Sequence, residues 1–168
     1  MRRHKQDIGS LLIIATLLVL TACQTSQAIP NGYYTYNEDK VESAVKQVAY
    51  DPELPAYLPI EMMAVVSDHF STDRAQTLDL SFYTANNDLL SIQYAKGDTS
   101  ESLHDAETIA LKDNLQVNYQ DNAFAKTVVW NKGDITYKMI YRQNPNSDED
   151  KQSVTKEQLL QVVRSFQL

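Results

Sequence analysis

Hydrophobic positions follow two rhythms along this chain: a helical period near each end and an alternating one through the middle. In residues 39–50 (DKVESAVKQVAY), Val41, Ala44, Val45, Val48 and Ala49 recur at i, i+3, i+4, i+7 and i+8, which is one face of a helix. Asn37 is placed to cap this helix, Glu38 and Asp39 suit its first turn, and Pro52 stops it. Near the other end, Thr155 followed by Gln158 forms a capping box, and Val154 can staple against Leu159. Leu159, Val162, Val163 and Phe166 then make a buried stripe.

Between the helices the period drops to two. Pro52, Pro55 and Pro59 bracket an extended stretch, and residues 62–67 form a short apolar run. Over residues 77–83, Leu78, Leu80 and Phe82 alternate with Thr77, Asp79, Ser81 and Tyr83; Leu90, Ile92 and Tyr94 alternate again after the Asn86-Asn87-Asp88 turn. Two more strand pairs are predicted. Residues 107–111 and 115–119 flank Lys112-Asp113-Asn114, and residues 127–130 and 135–141 flank Asn131-Lys132-Gly133-Asp134. Short connections impose antiparallel pairing. The expected fold is therefore α+β: an antiparallel sheet of about six strands, one helix before it, and a C-terminal helix packed on one face.

The first residues read differently. Arg2, Arg3 and Lys5 precede a ten-residue uncharged run at residues 11–20 (LLIIATLLVL). A membrane-spanning helix needs about 20 apolar residues, so this run has the length of a signal-peptide core. It ends in Leu20-Thr21-Ala22-Cys23, which resembles the bacterial lipobox. That resemblance implies a diacylglyceryl group on the Cys23 sulfur, cleavage before Cys23, and acylation of the palmitate type. Two acyl chains on one residue give stable anchoring where one is marginal. The expected organisation is a signal peptide at 1–22, a lipidated tether at 23–37 carrying Tyr33, Tyr34 and Tyr36, and one α+β domain at 38–168. The expected location is the extracytoplasmic face of the cell membrane.

Residues 54–166 are similar to an uncharacterised extracellular domain of Gram-positive surface lipoproteins and anti-sigma-factor-like proteins. The resemblance rests on Pro55-Ala56-Tyr57-Leu58-Pro59, the strands at 80–83 and 90–94, Val129 through Tyr137, and the Thr155-Lys156-Glu157-Gln158-Leu159-Leu160 helix start. It departs at Ile60-Glu61, where that domain has an acidic residue and then a glycine. It implies an envelope-exposed sensing or binding domain and transfers no catalytic residue.

Charge narrows the partners. The chain has 168 residues, 22 acidic and 15 basic, for a net charge of −7. Removing residues 1–22 takes away three basic and one acidic residue, leaving net −9. Such a domain lacks the basic face that nucleic acid requires and is repelled by anionic head groups, so the lipid on Cys23 must hold the membrane. With one cysteine there is no disulfide framework.

The catalytic patterns are weak. Ser43-Ala44-Val45-Lys46 has the S-x-x-K spacing of penicillin-recognising enzymes but lacks the K-T-G partner; Ser153-Val154-Thr155-Lys156 repeats the spacing where capping explains it. His69 and His104 lie in polar contexts, and Asp148-Glu149-Asp150 lacks the EF-hand spacing. No catalytic residue, metal site or cofactor is expected. The tyrosines at 57, 83, 94, 119, 137 and 141 serve either as core or as a binding surface on the outer sheet face, and Trp130 as core anchor or as ligand platform. The expected role is non-catalytic binding or sensing of an envelope protein, peptide or lipid. The alternative is a lipid or lipoprotein carrier with an apolar groove between the sheet and the C-terminal helix.

Overall fold

The computed structural model describes residues 28–99, 103–146 and 153–167. The signal segment, Cys23 and Asp148-Glu149-Asp150 lie outside the described residues. Helix α1 spans Glu38–Val45 and helix α2 spans Lys156–Val163. The strands are β1 (Leu54–Pro55), β2 (Ala64–Ser71), β3 (Ala75–Tyr83), β4 (Leu89–Gly97), β5 (Glu107–Ala110), β6 (Gln116–Asp121), β7 (Lys126–Lys132), β8 (Ile135–Arg142) and β9 (Phe166–Gln167). A short 3-10 turn at Lys112–Asn114 joins β5 to β6.

The α+β expectation holds in its broad form, with one helix before the sheet and one after it. The main sheet has seven strands, in the order β2-β3-β4-β8-β7-β6-β5, where about six were expected. All its pairings are antiparallel. The apolar run predicted at residues 62–67 belongs to a strand that continues to Ser71. As an edge strand β2 has one open side, so Asp68, His69 and Ser71 stay in water while their backbones pair with β3.

One sheet face carries the core. Val117, Trp130, Tyr137, Tyr94 and Leu78 form one row across five strands, each opposite the next. Tyr119, Val128, Met139, Ile92 and Leu80 form the row beside it. All ten side chains are buried. Leu58, from the extended segment, and Leu159 and Val162, from α2, are also fully buried in that core. Each such side chain adds about 1.5–3 kcal/mol of hydrophobic stabilisation. Helix α1 packs toward β2 and β3, and α2 toward β7.

Turn chemistry sets the register. Gly133, at φ 62°, supplies the positive φ of the two-residue β7–β8 turn. Gly97, at φ 119°, lies against Arg74: a Cβ there would sit 2.2 Å from the Arg74 carbonyl oxygen.

Both helices end earlier than their apolar periods suggest. Asn37 caps α1 as expected, accepting from the Lys40 N–H at 3.0 Å. Beyond Val45 the bonds tighten to i→i−3, as in Gln47 N–H to Ala44 O at 3.0 Å. That unwinding lets the Tyr50 hydroxyl donate to the Tyr94 carbonyl at 2.5 Å and the Ala49 N–H donate to Gln76 Oε1 at 2.9 Å. The Thr155–Gln158 capping box is present in both directions. Phe166, expected on the α2 stripe, lies instead in β9. Ser165 turns the chain there, its hydroxyl donating to Val162 O at 2.7 Å, and the Ala56 N–H donates back to the Ser165 carbonyl at 3.2 Å. Strand β9 then pairs with β1.

The tyrosines of the expected tether dock on the domain. Tyr34 bridges Leu58 through two backbone bonds of 2.9 Å, the Tyr33 ring meets Tyr57 edge-on at 5.0 Å, and the Tyr36 hydroxyl donates to Pro55 O at 2.6 Å.

Candidate functional site

The sites suggested by sequence spacing do not assemble. The Ser43 hydroxyl is spent on the Asp39 carbonyl one turn back, at 2.7 Å, and Lys46 is solvated beside Glu42. Ser153 accepts from Lys126 Nζ at 3.1 Å, while Lys156 pairs with Glu107 at 2.6 Å. His69 is on the edge strand β2, and His104 precedes the opposite edge strand β5. Among the described residues, no three His, Cys, Asp or Glu side chains gather as a metal site, and no helix is long and apolar enough to cross a membrane.

The outer sheet face does not carry a tyrosine cluster. Tyr57, Tyr94, Tyr119, Tyr137 and Tyr141 are buried, and Tyr83 is half-buried on the outer face. That face is polar instead: Asp79 accepts from Ser81 at 3.0 Å, Ser91 at 3.1 Å and Gln93 at 2.6 Å. Trp130 is a core anchor, stacked on Tyr137 at 5.1 Å and meeting Phe166 edge-on at 5.0 Å. Phe166 also meets Tyr137 at 5.7 Å. These rings fill the space between β7–β8 and the end of α2.

Beside that filled core the surface opens into a cleft of about 680 Å³. Its walls come from four places: the end of α2 with β9, the 3-10 turn after β5, the β7–β8 hairpin, and the segment leading into β1. Phe166, Leu111 and Leu115 supply apolar surface over the buried Trp130 and Val163, and Tyr57 and Gln161 close one side. The Gln161 amide donates to the Tyr57 hydroxyl at 2.9 Å, so α2 and the extended segment after β1 hold this wall together.

The polar groups of the cleft are Glu53, Lys112, Lys132 and Arg164, with Asn114 and Asn131. The Glu53 side chain is only 7% exposed and pairs with Lys132 Nζ, whose side chain is 55% exposed. A carboxylate this deep needs its partner, because a buried unpaired charge is costly. The Glu53 N–H donates to the Tyr137 hydroxyl at 3.2 Å. Burial pushes the Tyr137 phenol up; the Glu53 hydrogen bond opposes this, and the Glu53 carboxylate adds to it. Arg164 donates to the exposed Glu157 at 2.7 Å. The arrangement combines an aromatic floor with a few directional polar groups, as ligand sites commonly do.

Sequence reasoning did not bring these positions together. Glu53, Lys112, Lys132 and Arg164 are far apart in the chain, and each looks like ordinary surface charge. The one usable signal was Lys132-Gly133-Asp134, a tight turn that had to present its lysine at the sheet end next to Trp130.

No family model matches the chain, and neither a curated protein nor a solved structure matches it.

Proposed function

We propose that the chain is a lipid-anchored lipoprotein of the extracytoplasmic membrane face, whose α+β domain binds a ligand without transforming it. The cleft at the end of α2 carries this reading: an aromatic floor beside a short set of polar groups, in a domain whose candidate nucleophiles are committed to backbone or surface pairs. The N-terminal pattern supports the anchor. Positive charge, a ten-residue apolar run and Leu20-Thr21-Ala22-Cys23 follow in export order.

The carrier alternative fits less well. It needs an apolar groove between sheet and helix, and Trp130, Tyr137 and Phe166 occupy that space.

Two experiments test the reading. Labelled palmitate fed to a bacterial host is expected to appear on the full chain and to vanish from Cys23→Ser; label retained in that variant contradicts the anchor. Native mass spectrometry of the full chain, extracted from membranes in a mild detergent, is expected to show a bound mass. Gln161→Trp, which places an indole in the cleft, is expected to remove it. A mass that survives the substitution, or an empty wild-type chain, contradicts the cleft.

A further inference from the structure

We infer that the cleft takes an amphipathic organic anion, with its apolar body on the floor of Phe166, Leu111 and Leu115 above Trp130 and its negative group at the cationic rim. This rests on the cleft being the ligand site and adds the chemical class of the ligand.

The argument starts from charge. The expected mature domain carries net −9, so most of its surface repels anions. Among the described lining side chains the balance is inverted: Lys112, Lys132 and Arg164 stand against Glu53. Glu53 is already engaged by Lys132, which leaves it little attraction for an incoming cation. Lys112 has no ion-pair partner among the described residues, and Arg164 pairs with Glu157, a side chain 74% exposed and outside the cleft. An arginine in such a rim pair has donors left for a second acceptor, since guanidinium carries five. The rim therefore offers Lys112 and the spare Arg164 donors to a negative group.

The floor selects the other half of the ligand. Phe166, Leu111 and Leu115 offer apolar contact, with Trp130 and Val163 buried just beneath, and none of the five carries a side-chain hydrogen-bond acceptor. A simple ion such as phosphate leaves that surface wet and gains nothing from it. A neutral apolar molecule gains the floor but not the rim. An amphipathic anion uses both.

Trp130 is the only tryptophan in the chain, so its emission reports on this site alone. The full chain in zwitterionic phosphatidylcholine nanodiscs is titrated with phenylbutyrate, phenylbutanol and phenylbutylamine. These three probes share an apolar body and differ in charge. Phenylbutyrate is expected to change Trp130 emission saturably, with at least about tenfold higher affinity than the alcohol or the amine, the value of one charge-assisted contact. Lys112→Ala and Arg164→Ala are each expected to erase much of that preference, and Arg164→Lys to retain part of it. Both side chains are exposed, and an unchanged urea midpoint verifies that the variants are folded. Equal binding of the three probes, a preference for the amine, or an anion preference untouched by both alanine variants overturns the anion class and leaves the cleft as a ligand site. No saturable response to any probe overturns both.

Discussion

Tyr94 is fully buried at the centre of the sheet, and its hydroxyl has no hydrogen-bond partner among the described residues. Leaving such a group dry and unpaired costs about 1–3 kcal/mol. The ring itself is well placed, edge-on to Tyr137 at 5.6 Å and tilted against Phe166 at 6.5 Å. Tyr94→Phe keeps those ring contacts and removes only the oxygen. A void of one oxygen atom offsets part of the gain, so the expected result is stabilisation of about 1 kcal/mol. For a chain of this size that raises Tm by about 2–4 °C. The assay is urea unfolding of the full chain followed by Trp130 emission, comparing midpoints at constant slope. Tyr50→Phe is the control. Its hydroxyl does have a partner, donating to the Tyr94 carbonyl at 2.5 Å, and its removal is expected to cost about 1–2 kcal/mol. If Tyr94→Phe destabilises the protein by as much as Tyr50→Phe does, the Tyr94 hydroxyl is satisfied and the reasoning fails.

Other expected outcomes follow from the same structure. Burial first, then nearby acidic groups, raises the Tyr36 and Tyr119 phenols to about 12, and burial alone dominates a similar rise at Tyr50. The folded state thus holds protons that the unfolded chain releases near pH 10, so stability is full below pH 10 and falls as pH rises from there toward 12. A urea midpoint that stays flat across that window contradicts the burial assigned to these rings. Gly97→Ala, with its Cβ driven against the Arg74 carbonyl, is expected to cost about 2 kcal/mol or more, and Gly133→Ala, in open space, about 1 kcal/mol; equal midpoints remove the close-approach argument. Lys132→Met strands the Glu53 carboxylate and is expected to cost about 1–3 kcal/mol, most of which Glu53→Gln in the same chain restores. Additive losses in that double-mutant cycle refute the pairing. Thr155→Ala removes the α2 cap and is expected to cost about 1 kcal/mol in the same assay.

The sheet was legible because alternation is a strong local signal and turn residues punctuate it. Leu78, Leu80 and Phe82 share a face in any register, and Asn86-Asn87-Asp88 and Lys132-Gly133-Asp134 leave few ways to connect their strands. Asn37 and Thr155 announced the helix starts for the same local reason. The ends were less legible because tertiary contacts decide them. Val48 continues the helical stripe on paper, yet Tyr50 gains more by reaching the Tyr94 carbonyl. Phe166 continues the stripe of α2, yet Ser165 turns the chain so that its ring meets Trp130 and Tyr137. Strand β2 ran past its apolar run because an edge strand tolerates polar side chains. The cleft was least legible. Nothing in the local sequence around Glu53 shows that it will be buried, or that Lys132, almost eighty positions later, will pair with it.

The central claim, that the cleft at the end of α2 is where this domain meets its ligand, is tested most directly in living cells by site-specific photocrosslinking. Benzoylphenylalanine replaces Leu115 at the cleft wall in one chain, and Val66 on the exposed outer face of β2 in another. The expected result is an adduct from position 115, reduced by Gln161→Trp, and none from position 66. Adducts from position 66 alone, or from neither position, contradict the claim.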